Sequence, residues 1–480
     1  MPRRPNILLL FPDQWRGQAL GLAGDVNAQT PNIDRLAAEG VYLRNGIAVT
    51  PVCTPSRATL LTGRWAVQTR CYTNGLSLPE DIPTFARSLT SVGYRCGWIG
   101  KWHLDGMPWE KFTPPGPRRA GFDAYWAAMN CRHKYFESAW YEDDPVVRGA
   151  TGYEPFVQTE LAEAFIRDAA GISEPWCLAL AWGPPHEPYE QVPQEYRSRV
   201  DPSSLELRPN VRNLSEAWID RPSLAPDLRA IADYYAACRA LDDAVGQLLD
   251  ALRATGQDED TIVVFSSDHG DQLWGQGRRG KLTPYAESTT VPLIWRWPAG
   301  LPVGAASDAV TALPDVAVTL LSLAGAPALD AATGRDVAPA LRGDEPGPDV
   351  ALISQIVAGV KVGEDGVVSW RDTSPEWRGV RTSTHTYART LDGPWMLFDD
   401  VADPFQQHNL VTDEGMVDEY DALLSAELAR TGEGFRSSAE QLLGDGLVEP
   451  FFDELEQWGL ARDLPVQRET DLHNELVEDL

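Results

Sequence analysis

The chain lacks the features that mark disulfide-rich, membrane-spanning and secreted proteins. Its six cysteines are spread over 480 residues and show neither a paired metal-ligand spacing nor a dense disulfide pattern. No apolar run approaches the length of a membrane span, and the run at residues 7–11 is too short for the core of a signal peptide. We therefore expect a cytoplasmic protein with no membrane partner.

Basic residues are scarce beside acidic ones, 41 against 70, which gives a net charge of -29. Such a chain repels phosphate backbones, so nucleic acids are poor candidates for a partner. A small anionic substrate would need a local cluster of Lys, Arg or His. The content of 43% apolar and 23% charged residues is that of a folded protein and excludes disorder, collagen and coiled coil.

Short β-rich runs alternate with helical patterns, which predicts an α/β fold with a large, mostly parallel sheet flanked by helices. The apolar spacing predicts helices over 81–92 and 227–255, the second of which is stopped by Gly256. The clearest strands are predicted at 6–11, 94–99, 176–182 and 261–265.

A smaller unit is expected after the main sheet. The chain turns polar and rich in Pro and Gly near residues 344–348, and residues 379–398 alternate like an antiparallel ribbon. We expect a catalytic domain over 1–375 and a C-terminal subdomain over 376–480, with a small antiparallel sheet and an acidic helical tail. That tail would either cap the body or contact a second copy in a homo-oligomer.

Each of the four predicted strands is followed by polar groups that can bind a ligand. Ligands of open α/β sheets bind outside the carboxyl ends of the strands, so we expect one shared site there. The alternative is that these are solvated loop residues, but three of only seven histidines follow strand ends. The groups, strand by strand, are Asp13 and Gln14; Lys101 and His103; His186; Asp268 and His269.

Cys53 precedes a segment that is typical of a helix start, with Pro55 in the first turn and Gly63 as a stop. The free N–H groups and the dipole of a helix N-terminus favour anions and lower the pKa of a thiol. The residues thus predict an activated nucleophile beside an anion site, with Arg57 next to it. The alternative is a buried structural cysteine.

The sequence Cys-Thr-Pro-Ser-Arg at 53–57, followed by Ala-Thr-Leu-Leu-Thr-Gly-Arg, resembles the signature of the type I sulfatases of the alkaline-phosphatase-like superfamily. The resemblance covers most of residues 5–411 and implies an alkaline-phosphatase-like fold and a sulfuric ester hydrolase. Further segments that match in family order are 6–14, 30–37, 100–103, 185–188, 267–270, 280–281 and 397–410.

The resemblance implies that Cys53 is converted to formylglycine by a formylglycine-generating enzyme, with Pro55 and Arg57 as part of the signal. One hydroxyl of the hydrated aldehyde would attack sulfur and form a covalent sulfo-enzyme. The second hydroxyl would then lose its proton, so that the carbonyl reforms and sulfate leaves. A plain Ser or Thr nucleophile would instead need water to attack a second, poorly reactive centre.

The resemblance also implies a divalent cation that acts as a Lewis acid. Many family members carry a second acid in place of Gln14 and Asn in place of His269, and the variant found here resembles choline sulfatases and phosphonate monoester hydrolases. Oxygen ligands favour Ca²⁺, and the imidazole makes Mn²⁺ the second candidate. The implied ligands are Asp13, Gln14, the modified Cys53, Asp268 and His269.

Four further roles follow from the resemblance. His103 would take a proton from the diol and Lys101 would bind sulfate. His186 and Lys281 would bind sulfate oxygens and protonate the leaving group, a step that contributes roughly 100-fold to 10,000-fold in rate. Arg57 would orient the diol. From its spacing alone, Lys281 could instead belong to a solvated basic loop.

The 17 tryptophans bear on the substrate. Trp102, Trp109, Trp126 or Trp140 could line a pocket that stacks a sugar, an aryl ring or a quaternary ammonium, or they could fill the core. We therefore expect a small sulfated substrate that is aryl, carbohydrate or choline-like. Two alternatives stay open: a phosphonate or phosphate ester hydrolase with the same site, and a catalytically silent binder of sulfated ligands.

Overall fold

The computed structural model describes residues 4–212, 227–362 and 368–451. Within these ranges, none of the helices combines the length and the apolar character that crossing a membrane requires.

Strands and helices are interspersed along the first three quarters of the described chain. The strands are β1 (Asn6–Leu10), β2 (Val41–Ile47), β3 (Arg95–Lys101), β4 (Tyr125–Met129), β5 (Glu137–Trp140), β6 (Arg148–Thr151), β7 (Trp176–Ala181), β8 (Thr261–Ser266), β9 (Thr290–Val291), β10 (Leu293–Arg296), β11 (Ala305–Ala312), β12 (Val350–Gln355), β13 (Gly359–Val362), β14 (Val368–Ser374), β15 (Trp377–Thr382), β16 (His385–Thr390) and β17 (Gly393–Asp399). The helices are α1 (Pro31–Ala38), α2 (Cys53–Thr62), α3 (Ala66–Thr69), α4 (Phe85–Ser91), α5 (Glu154–Ala169), α6 (Gln194–Arg197), α7 (Pro209–Arg212), α8 (Leu228–Ala254), α9 (Ala286–Thr289), α10 (Leu313–Ala324), α11 (Ala338–Arg342), α12 (Glu414–Thr431) and α13 (Ser438–Gly444).

The main sheet has the strand order β11-β2-β10-β8-β1-β7-β3-β4, with β9 beside β2. Strands β8, β1, β7, β3 and β4 run parallel, and β10 is antiparallel to both of its neighbours. Central parallel strands are buried on both faces, and every residue of β1 is buried. The mostly parallel α/β fold expected from the sequence is confirmed.

Helices cover both faces of the main sheet. Alternate residues of a strand point to opposite faces, and Leu9 and Leu8 of β1 accordingly belong to two different apolar clusters. The cluster of Leu9 is completed by residues of α2, α4 and α10, and that of Leu8 by residues of α1, α5 and α8.

The predicted elements agree with the observed ones within one or two residues for the four strands. Helix α8 matches the prediction, and the side chain of its N-cap, Asp227, accepts hydrogen bonds from the backbone N–H groups of Arg229 and Ala230. The predicted start of the helix at 81–92 was wrong. Pro83 disfavours helical backbone at the residue before it, and the Thr84 side chain caps a helix that begins at Phe85.

The second sheet is antiparallel, with the order β12-β15-β16-β17, which confirms the ribbon predicted at 379–398. Helix α12 packs on it through a cluster that includes Leu424 and Tyr387. This sheet includes β12 and therefore extends across the predicted boundary at 375/376, and the two-domain division stays a prediction. Residues 452–480 of the predicted acidic tail lie outside the described residues.

Candidate active site

The polar groups that follow β1, β3, β7 and β8 lie at one edge of the main sheet. These four strands are adjacent and parallel, so their carboxyl ends meet. Strand β1 leads to Asp13 and Gln14, and β8 leads to Asp268 and His269. Lys101 is the last residue of β3.

Cys53 is the first residue of α2, as expected for a residue at a helix N-terminus. The helix follows an extended Val52 and ends at Gly63, whose left-handed backbone (φ 64°) suits glycine. The Cys53 side chain points into the site: its Sγ lies 3.3 Å from Nε2 of His269 and 3.3 Å from Nζ of Lys281.

Four buried side chains converge so closely that they could share a metal ion. One ligand atom from each lies within 4.8 Å of every other. The His269 Nδ1 lies 2.9 Å from the carbonyl oxygen of Gly270, which can only accept a hydrogen bond, so Nδ1 carries a proton and Nε2 is the nitrogen that faces the cluster. Carboxylates and a neutral imidazole fit a divalent cation. The four residues are Asp13, Cys53, Asp268 and His269.

Gln14 lies beside this cluster, and charged side chains contact both ends of its side-chain amide. Its Oε1 accepts a hydrogen bond from Nζ of Lys281 at 2.9 Å. Its Nε2 donates to Oε2 of Glu187 at 2.7 Å and to Oδ2 of Asp271 at 2.6 Å. Its backbone has a positive φ of 67°, and its N–H donates to Oδ1 of Asp268 at 3.0 Å.

Three cations surround the carboxylates. Arg57 contacts Oδ2 of Asp268 at 2.9 Å and Oδ2 of Asp13 at 3.1 Å, and all three side chains are fully buried. Lys101 Nζ lies 2.6 Å from the same oxygen of Asp13. With Lys281, these groups form the local positive cluster that an anionic substrate needs in a chain of net charge -29.

The cations shift the pKa values of the groups between them. Burial alone would raise the pKa of Asp13, but Lys101, His186, Arg57 and Lys281 outweigh it and hold the pKa well below its usual value. Burial and Asp13 would likewise raise the pKa of the Cys53 thiol, yet Lys101 and Lys281 are among the groups that lower it overall. Asp13 is therefore favoured as the carboxylate, and the Cys53 thiol is more acidic than an ordinary cysteine.

His103 is buried and neutral. Burial, followed by Lys101 and Arg57, holds its pKa well below the ordinary value. Within the described residues, neither of its ring nitrogens has a hydrogen-bond partner, so both are open to contact with a bound molecule. Its backbone carbonyl accepts a hydrogen bond from Oγ1 of Thr54 at 2.9 Å, which ties it to the residue after Cys53.

His186 reaches the site beside Glu187. Its Nδ1 donates to the carbonyl oxygen of Glu187 at 2.7 Å, and its ring stacks on that of His133 at 4.3 Å between centroids. Burial and then Lys281 lower its pKa to about 4. Near neutral pH its imidazole is therefore uncharged in the free protein.

Sequence reasoning missed three residues next to the site, namely Glu187, Asp271 and His133. Glu187 lies inside the segment 185–188, and Asp271 lies three residues after Asp268, so both were visible as acids beside recognised motifs. Nothing in the sequence marks His133, because only the folded loop after β4 brings its ring onto His186.

The four tryptophans considered for a substrate pocket have different positions. Trp102 and Trp126 pack against each other in the core, with ring centroids 5.2 Å apart. Trp140 donates to Oε1 of Glu142. Trp109 stands edge-on to the His103 ring at 6.0 Å between centroids, which places one aromatic ring beside a site residue.

Comparison with known proteins agrees with this geometry. The family model named Sulfatase matches residues 5–326. The chain belongs to the sulfatase family. An ulvan-active sulfatase from Formosa agariphila is 38% identical over 443 residues, which cover 91% of this chain and 83% of that relative. The predicted resemblance is therefore confirmed, and the enzyme is a sulfuric ester hydrolase.

Solved structures show the same architecture. A Bacteroides thetaiotaomicron protein of glycosaminoglycan metabolism is 26% identical, with a TM-score of 0.79 over 92% of this chain and 99% of that one. The phosphonate monoester hydrolase of Agrobacterium radiobacter is 24% identical, with a TM-score of 0.72 over 89% and 96%, which is a likeness of fold. The buried cluster around Cys53 is compatible with the divalent metal and the formylglycine of sulfatases in general.

Proposed function

We propose that this sulfatase carries formylglycine at position 53, binds Ca²⁺ and releases sulfate from a sulfated carbohydrate. The observation that carries the proposal is the placement of Cys53. Its Sγ lies 3.3 Å from Nζ of Lys281, 3.8 Å from Nζ of Lys101 and 3.9 Å from Oδ1 of Asp13. A group formed at this side chain would face both a cation site and two ammonium groups.

The formyl group, once made from the thiol and hydrated, would supply a hydroxyl nucleophile toward sulfur. Its formation needs a formylglycine-generating enzyme as a partner. Arg57 supports such a group by holding Asp13 and Asp268 in place behind it. The His103 ring, whose two nitrogens have no hydrogen-bond partner among the described residues, would accept the proton that the nucleophile loses.

A bound cation would act as a Lewis acid on a sulfate oxygen. Hard oxygen ligands favour Ca²⁺, and the one imidazole leaves Mn²⁺ as the second choice. The side chains of Asp13 and Asp268 are fully buried, so an ion between them would be shielded from water. The residues that would hold it are Asp13, Gln14, position 53, Asp268 and His269.

The remaining cations bind and neutralise the sulfate. Lys101 and Lys281 both lie within 4 Å of the Cys53 sulfur, on the side where a sulfate oxygen would meet them. His186, whose Nδ1–H is held by the carbonyl of Glu187, would take up a proton at Nε2 beside the bound sulfate anion and pass it to the leaving oxygen.

The proposal of a carbohydrate substrate rests on two relatives, one active on ulvan and one from glycosaminoglycan metabolism. A choline-like substrate needs an aromatic box. Trp102 and Trp126 are core residues, so they are not part of such a box, whereas the single ring of Trp109 near His103 suits stacking on a sugar.

The presence of Gln14 and His269 together favours one second candidate, a phosphonate monoester hydrolase. The test compares kcat/KM for an aryl sulfate and for a phenyl phosphonate ester, with and without a chelator. We expect the sulfate to be preferred and both rates to fall when the cation is removed. Preference for the phosphonate would support the second candidate, and turnover of neither would indicate a silent binder.

The homo-oligomer and the cytoplasmic location expected from the sequence stay predictions.

A further inference from the structure

The side-chain amide of Gln14 is surrounded by three charged groups, and each contacts one particular end of it. Glu187 and Asp271 accept hydrogen bonds from Nε2 at 2.7 and 2.6 Å. Lys281 donates to Oε1 at 2.9 Å. Both amide hydrogens are thus directed at carboxylates, and the oxygen faces the side of the site that holds Lys281 and Cys53.

These partners determine the orientation of the amide. A carboxylate only accepts hydrogen bonds and an ammonium only donates them. If the amide were flipped, its oxygen would face two carboxylates and its NH₂ group would face the ammonium of Lys281. Every contact would then be repulsive. The flip would also lose three charge-assisted hydrogen bonds, which are stronger than hydrogen bonds between neutral groups.

The orientation matters because only the oxygen of an amide can bind a hard cation. We propose that Glu187 and Asp271 are positioning residues that keep the Gln14 oxygen turned toward the cation site. They also explain why position 14 carries an amide. An acid at this position would bring a third carboxyl group against those of Glu187 and Asp271 and would remove the two N–H groups that they accept from.

The two positioning residues differ in how firmly they are fixed. Asp271 is fully buried, and its Oδ1 accepts from the backbone N–H groups of Leu273 at 2.8 Å and Gly280 at 3.2 Å, so it also secures the loop that carries Lys281. The Glu187 side chain is 43% exposed. Substitution of Glu187 is therefore the change that can be made without disturbing this loop.

The inference rests on the proposed role of Gln14 as a ligand. Variants that exchange the hydrogen-bond donor at Gln14 and the acceptor at Glu187 test it. Gln14→Glu adds a negative charge to the cation site, so simple electrostatics predicts tighter binding. The positioning role predicts weaker binding, by about tenfold as when the partners of a metal ligand are lost, because Glu187 and Asp271 would repel the new carboxylate. The double variant with Glu187→Gln replaces one acceptor by a donor and should regain most of the loss.

The measurement is the dissociation constant of Ca²⁺ from the full-length protein by titration calorimetry, with the melting temperature as a check of folding. Gln18→Glu is the matched control. It makes the same change four residues away, where the amide donates to the carbonyl of Ala286, and it should leave the constant unchanged. A further variant, Glu187→Ala, should weaken binding about tenfold.

Tighter binding by Gln14→Glu, or a double variant no better than the single one, would overturn the inference. The variant Asp13→Asn distinguishes a failure of the positioning role from a failure of the proposed function. If that variant binds Ca²⁺ as the wild type does, the cation does not occupy this site and the proposed function itself is wrong. If it loses binding while the Gln14 variants contradict the expectation, only the positioning role is wrong.

Discussion

Arg57 offers the sharpest test of how the buried charges of the site are balanced. Its guanidinium contacts Asp13 and Asp268, and the three side chains have no exposed surface. Arg57→Ala leaves Asp268 without its guanidinium partner, while Asp13 keeps Lys101. Removing one partner of a buried ion pair destabilises a protein by about 3–5 kcal/mol, because the other charge stays desolvated.

A bound divalent cation would supply positive charge to the same two carboxylates. The loss caused by Arg57→Ala should therefore be large in a chelator and clearly smaller in excess Ca²⁺. The assay is urea unfolding of the wild type and the variant in both conditions, followed by fluorescence of the buried tryptophans. The account predicts that the substitution lowers the free energy of unfolding more in the chelator than in excess Ca²⁺.

Arg119→Ala is the matched control for this experiment. Arg119 is as buried as Arg57, but it donates to the carbonyl oxygens of Thr113 and Glu142, away from the site. Its loss should destabilise the protein equally with and without Ca²⁺. If Arg57→Ala is as stable as the wild type in the chelator, or if Ca²⁺ rescues both variants alike, the charge balance described for the site is wrong.

Three further outcomes are expected. Cys53→Ala should abolish turnover of an aryl sulfate and keep the circular dichroism spectrum and melting temperature, and residual sulfatase activity would contradict the nucleophile assignment. Lys281→Ala should lower kcat/KM roughly tenfold to 100-fold, because a hydrogen bond to a charged group contributes about 1.5–3 kcal/mol, and unchanged kinetics would remove it from sulfate binding. Because the folded pKa of His186 is about 4, below the ordinary 6.5, the unfolded chain binds more protons in this range, and stability should fall as the pH falls from 6.5 to 4 by roughly 3 kcal/mol. His186→Gln should flatten that dependence in urea unfolding measured across the window, and an equally steep dependence in the variant would contradict it.

Much of the site could be predicted from the sequence because it depends on local rules. Parallel strands end at one edge of a sheet, so the positions of Asp13, Lys101 and Asp268 just after or at the end of predicted strands are enough to bring them together. Pro55 and Gly63 mark the two ends of one helix, which puts Cys53 at its N-terminus.

What the sequence did not predict depends on contacts between distant segments. Glu187 follows β7 and Asp271 follows β8, and they meet at Gln14 only because β1 lies between these two strands in the sheet. The positions of Trp102 and Trp126 are set by the packing of β3 against β4, which no local pattern reveals.

The mass of one peptide tests the central claim most directly. Arg44 and Arg57 bracket residues 45–57, so trypsin releases Cys53 in a short fragment. In protein made in its own host, we expect this fragment to be lighter than encoded, because the thiol-bearing carbon has become an aldehyde. A fragment with a fully intact thiol, from a preparation that hydrolyses sulfate esters, would contradict the account.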